Sequence, residues 1–126
     1  MYDGINKRNA NDMLKDWDAK SLDYGDGSDK PMPLDSVKSM MSTWFTAFPD
    51  FKGENLQYVA EGDMVMVYGD YSGTWKADLM GQKPTGKQFK MHDADVYKLN
   101  ADGKIIEHRN VQPFSAIAQQ VGMKMQ

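Results

Sequence analysis

Two stretches of the chain carry the residues best suited to acid–base chemistry. One is FKMHDADVYKLN, with Asp93 and Asp95, and the other is KIIEHRNVQ, with His108 and Asn110. Both alternate in polarity, as strands do, so neighbouring side chains point to opposite faces. Lys98 belongs in solvent, which turns Tyr97 and Leu99 inward. Stepping back by twos adds Asp95, Asp93 and Met91 to the inward face. On the second stretch Ile106, His108, Asn110 and Gln112 share one face, and Ile105, Glu107, Arg109 and Val111 the other.

The chemistry such residues offer is proton transfer. A carboxylate in apolar surroundings has its charged form desolvated, and its pKa climbs toward neutrality. It then suits removal of a proton next to a carbonyl. Two neighbouring carboxylates push one of the pair higher still. His108 can shuttle a proton. Asn110 cannot, but its amide can donate a hydrogen bond to a carbonyl or enolate oxygen. Structural roles stand beside these. Asp93 and Asp95 could face solvent at a sheet edge or bond the loop of residues 77–88. His108 could pair with Glu107, Arg109 or a neighbouring strand. Tyr71, Trp75 and Tyr97 read as pocket wall or core.

Other chemistries lack their residues. There is no cysteine, hence no disulfide, thiolate nucleophile or Cys-based metal site. His92 should point away from Asp93 and Asp95, and no His-x-x-x-His spacing occurs, so no metal site is expected. Lys83-Pro84-Thr85-Gly86-Lys87 lacks the spacing of a phosphate loop, and there is no nucleophile elbow.

The elements that must position these residues follow from periodicity. Asn11-Asp12 could cap a short helix carrying Met13, Leu14 and Trp17. Ser21 to Gly25 reads as a brief strand, and Asp26 to Pro33 as a loop. Residues 36–48 form a helix capped by Asp35 or Ser36, with Val37, Met40, Met41, Trp44, Phe45 and Phe48 as one apolar stripe. Pro49-Asp50 ends it. After Phe51 the period drops to two. Strands are expected over 54–61, 64–75, 88–99 and 104–112, with turns at Gly62-Asp63 and at Asn100-Ala101-Asp102-Gly103. Val65, Val67, Tyr71 and Trp75 share one face of the second of these strands, and Met64, Met66 and Tyr68 the other. Pro113 opens a last helix, 114–121, stopped by Gly122. Helices followed by an antiparallel meander give an α+β domain.

The 126 residues suit one domain, with a mild formal charge of −3 and no block of Lys or Arg. Nucleic-acid and membrane-surface partners are not expected. No apolar run reaches the ~20 residues needed to span a bilayer. The polar start MYDGINKRN favours the cytoplasm, with a periplasmic or secreted home if a signal peptide has been removed. The eleven methionines read first as ordinary core filler and second as lining for a pocket that accepts several ligand shapes.

From Phe48 to Gly122 the order of pieces is FPDF, AEGD, MGQKPTGKQF, DVYKLNADGKIIEHRN and QQVG. In that order they resemble the SnoaL-like polyketide cyclases, a family of the nuclear transport factor two-like superfamily. The resemblance runs from about Pro31 to Gly122 and implies a single domain over residues 1–126, lacking most of the family's first helix. It implies a cystatin-like cone, a curved antiparallel sheet wrapped by helices around a pocket for a small hydrophobic or carbonyl-containing ligand. It implies no cofactor, and a homodimer through the outer sheet face. The pocket would take Trp44, Tyr71, Trp75 and Tyr97 as ligand-binding residues, with the His108/Asn110 face turned inward beside Asp93 and Asp95. The family's cyclases close a ring by an aldol step, using one Asp as acid/base. That Asp falls on Asn110 here, and a pocket His of the cyclases falls approximately on Asp95. Three readings follow: a cofactor-independent isomerase, aldol cyclase or dehydratase in which Asp95 or Asp93 supplies the base; a non-catalytic binder or carrier; or a protein-interaction module.

Overall fold

The computed structural model describes residues 1–25 and 29–124, so the start of the expected loop Asp26 to Pro33, residues 26–28, lies outside the described residues. Its elements are α1 (Tyr2–Asn6), α2 (Ala10–Leu14), β1 (Trp17–Tyr24), β2 (Met32–Pro33), α3 (Leu34–Ala47), β3 (Lys52–Glu61), β4 (Met64–Thr74), β5 (Gln88–Leu99), β6 (Ile105–Asn110) and α4 (Phe114–Val121). The six strands form one curved, unclosed sheet in the order β2-β1-β6-β5-β4-β3, and the class is α+β.

The meander β3–β6 is antiparallel throughout, as the period-two pattern requires. The brief strand expected at Ser21 to Gly25 belongs to β1, which joins this meander by pairing parallel with β6. Trp17, expected on the first helix, instead opens β1 opposite Ile105. Ser21, buried in this strand, donates its hydroxyl to the carbonyl of Ile105 and holds the pair through a register shift. Caps also shift. Asn9, rather than Asn11 or Asp12, caps α2 by accepting from the N–H of Asp12. Pro33 is the N-cap residue of α3, and Asp35 lies within its first turn, where a carboxylate suits the positive helix end. β6 stops at Asn110, short of the expected 112, because the Asp93 carboxylate takes the N–H of Gln112.

The apolar stripe of α3 meets the concave face of the sheet. Trp44 stacks on Phe48 at 4.3 Å, and Phe48 meets Phe89 edge-on at 5.4 Å. Phe51 stacks on Tyr71 at 6.1 Å. β3 carries a bulge-like irregularity, where Asn55 takes a positive φ of 55° and the register with β4 shifts between Glu54 and Gln57. The freed Leu56 then lies over Gly69, where a Cβ would stand 2.5 Å from Leu56 Cδ2.

The N-terminal hairpin of α1 and α2 is as tight. A Cβ on Gly4 would stand 2.1 Å from the backbone nitrogen of Met13. No flexible side chain is there to yield. Gly4→Ala is therefore expected to destabilise the protein by about 1–3 kcal/mol, read as a lowered urea midpoint, with proteolytic cleavage appearing first near residues 1–9.

Candidate functional site

The register of β5 and β6 puts Asp95 opposite Asn110 and Tyr97 opposite His108. Parity then brings Asp93, Asp95, His108 and Asn110 together on the concave face. β1 adds a fifth residue, because its parallel register sets Asp23 beside His108. All five border one cavity of about 670 Å³ beneath α3. The rest of its lining is mainly apolar, with Trp44, Tyr71, Met91 and Phe114 among it.

His108 is the centre of the polar end. Its Nδ1 lies 2.7 Å from Asp23 Oδ1 and its Nε2 lies 2.8 Å from Asp95 Oδ1. Ionised carboxylates only accept, so both ring nitrogens must carry hydrogen and the ring is an imidazolium. Burial opposes that charge, but the hydrogen bonds to Asp23 and then Asp95 outweigh it and hold the pKa up at about 9. The ring also lies against Tyr97 at 4.9 Å and Trp17 at 5.6 Å.

Asp95 is tied on its other oxygen as well. Tyr2 and Tyr71 each donate a hydroxyl to Oδ2 at 3.0 Å. Tyr97 lies 2.9 Å from the Tyr2 hydroxyl and donates to it, since the Tyr2 hydrogen is committed to Asp95. Burial first, and then the charge of Asp95 and the neighbouring phenols, pushes all three hydroxyls well above their ordinary range, so they stay neutral donors. Burial likewise pushes the Asp93 carboxyl up, opposed by the N–H of Gln112 and aided by the charge of Asp95. Asn110 directs its amide hydrogens to the carbonyl of Gln112 at 2.6 Å and to Asp93 at 3.4 Å.

Two expected pocket residues lie elsewhere. Trp75 follows the end of β4 and turns into the core, 1% exposed, with its indole N–H on the carbonyl of Ala77. Tyr97 sits one step further along β5, behind Tyr2, and lines a separate cleft. Trp44, Tyr71, Asp93, Asp95, His108 and Asn110 do share the cavity. The methionines reverse their first reading: seven of the eleven (Met1, Met13, Met32, Met40, Met41, Met80 and Met91) line it. Asp23 and Tyr2 carry no site signal in the sequence, and Trp17 stands there only as a residue of a short helix. Strand alternation at Asp23 points the wrong way: Leu22 is 38% exposed and Asp23 is buried. His92, as expected, is on the opposite face, paired with Asp70. Among the described residues no group of three or more metal-ligating side chains is arranged to hold an ion, and no helix is long and apolar enough to cross a membrane.

The family profile of the SnoaL-like polyketide cyclases matches residues 1–121, further toward the N-terminus than the motifs alone reach. No curated protein matches the sequence significantly. Among solved structures, AclR from Streptomyces galilaeus, described provisionally as a hydroxylase, superposes with a TM-score of 0.81 at 24% identity, covering 95% of this chain and 88% of that one. IdmH from Streptomyces antibioticus, described provisionally as a polyketide cyclase, gives 0.77 at 21%, covering 97% and 93%. A SnoaL-like protein from Jannaschia sp. CCS1 gives 0.82 at 18%, covering 98% and 88%. These likenesses are of the nuclear transport factor two-like fold.

The His108 cluster makes stability depend on pH. An imidazole in the unfolded chain titrates at its ordinary value of 6.5, and in the fold at about 9. The folded state thus keeps a proton that the unfolded state loses. The contribution is full below about pH 6.5 and is lost as pH rises to about 9, in total about 3 kcal/mol. Urea midpoints across that window should fall for the native protein, and the fall should flatten in His108→Gln.

Proposed function

Because the chain belongs to the SnoaL-like polyketide cyclase family, we propose that it binds a small hydrophobic carbonyl compound in the cavity and moves a proton on the carbon next to the carbonyl, without a cofactor. The outcome would be an isomerisation, an aldol closure or a dehydration. One observation carries this reading: His108 bridges Asp23 and Asp95 at the polar end of a largely apolar cavity.

In this reading Asp95 is the base. Taking a proton neutralises it, so the hydroxyls of Tyr2 and Tyr71 lose their charged acceptor. Tyr71 lines the cavity and can turn its hydrogen to the enolate oxygen. The His108 imidazolium offsets the new negative charge and can return a proton, while Asp23 holds its ring in place. Asp93, with its raised pKa, is the second carboxyl able to exchange protons with the ligand. Asn110 takes the place of the family's acid/base and serves to order Asp93 and the end of β6.

A non-catalytic binder is the second reading. It is favoured by the absence of a carboxylate at Asn110 and by the hydrogen bonds on both oxygens of Asp95. Solvent-deuterium exchange into a bicyclic aryl ketone such as tetralone separates the two. Proton transfer at Asp95 predicts accelerated exchange, reduced about 100-fold in Asp95→Asn. Asn110→Asp should raise exchange, since a carboxylate there would share a proton with Asp93. Binding with exchange at the buffer rate, unchanged in an Asp93→Asn/Asp95→Asn double variant, would select the binder.

The expected homodimer is proposed for the outer sheet face. Val59, Met64, Met66 and Tyr68 are 42–67% exposed there, an apolar patch that a second copy would cover. Sedimentation at micromolar concentration should give twice the 14.3 kDa chain mass, and Met66→Lys should return the monomer.

A further inference from the structure

A second cleft, of about 330 Å³, lies on the same concave face beyond the polar cluster. Tyr2, Tyr58, Val65, Val67, Tyr97 and Leu99 line it, and Tyr2 reaches toward the main cavity through its hydrogen bond to Asp95. Met1 borders both spaces. The Tyr2 hydroxyl has one hydrogen-bond partner on each side: Asp95, which lines the main cavity, and Tyr97, which lines the cleft. Its ring meets Tyr58 edge-on at 6.2 Å.

The anchorage of α1 is uneven. Its C-terminal end is fixed: Ile5 is buried in the core, and Asn6 accepts from the backbone N–H of Gly53 at 2.9 Å. Arg8 follows, donating to the carbonyl of Phe51 at 3.4 Å. At the N-terminal end the Tyr2 hydroxyl makes the side-chain bonds to the sheet. Breaking two hydrogen bonds would let the Tyr2 ring swing while Ile5 and Asn6 stay seated.

We infer that the two spaces are one divided site, that Tyr2 is the movable partition between them, and that the ligand carries an elongated apolar extension which passes Tyr2 into the cleft. Its carbonyl end stays at Asp95 and His108. This rests on the reading of the main cavity as a carbonyl-compound site and narrows it to compounds with a tail. The cleft wall offers such a tail the apolar surface of Val65, Val67 and Leu99 and the rings of Tyr2, Tyr58 and Tyr97.

The test is the binding of straight-chain methyl ketones from octanone to tetradecanone to the whole chain, followed by the fluorescence of Trp17 and Trp44, both of which line the main cavity. In the native protein each added methylene should tighten binding about fourfold until the main cavity is filled. A flat step should follow where the tail must displace Tyr2, and then the rise should resume. Tyr2→Phe keeps the ring but loses both hydrogen bonds, and should remove the flat step. Val65→Phe fills the cleft from β4 and should leave the flat step but abolish the later rise. One common plateau in the native protein, Tyr2→Phe and Val65→Phe would overturn the divided site while leaving the cavity reading intact. Absence of ketone binding in all three proteins would overturn both.

Discussion

A single imidazole ring, charged and buried between two carboxylates, ties together parts of the fold that are far apart in sequence. Asp23 reaches it from β1 and Asp95 from β5, and His108 itself is on β6 between them. Burying an isolated charge costs several kcal/mol or more, and a partner on each ring nitrogen is what makes it tolerable. Removing either carboxylate would leave the ring with a bare donor. The parallel seating of β1 against β6 is therefore more than a sixth-strand addition to the meander. It delivers the counter-charge without which the concave face could not hold an imidazolium.

From that centre the polar network spreads along the strands. Asp95 collects the phenols of Tyr2 and Tyr71, and Tyr97 supports Tyr2. Asp93 collects the backbone of Gln112 and the amide of Asn110 and so ends β6. The same contacts that assemble the candidate site also tie β1, β6 and β5 together at the middle of the sheet and pin the N-terminal helix to it. Chemistry and architecture use one set of hydrogen bonds here, which is why three neutral phenols are held so deep in an otherwise apolar interior.

Local pattern fixes much of this and long-range pairing the rest. The span of β5, the Asn100–Gly103 hairpin and α4 between Pro113 and Gly122 agree with the sequence reading, because each is set by alternation or by capping within a few residues. Asp93, Asp95, His108 and Asn110 share a face for the same local reason. Asp23 and Tyr2 do not announce themselves. Asp23 is inward because a partner 85 residues away needs its charge, and it forces Leu22 outward against the usual hydropathy rule. Tyr2 lies on a five-residue helix whose seating depends on the bare backbone at Gly4. Trp75 leaves the expected pocket because β4 ends at Thr74, and strand parity does not extend to the residue beyond it.

The seven methionines around the cavity give the interior a chemical vulnerability along with its adaptability. A thioether packs softly against many shapes, but oxidation converts it to a polar, chiral sulfoxide. Met80, 69% exposed at the rim, meets a dissolved oxidant before the more shielded Met13 and Met91 do. An occupant of the cavity would shield further the sulfurs that face it. Resistance of the lining to peroxide is thereby a property of the loaded protein rather than of the chain alone.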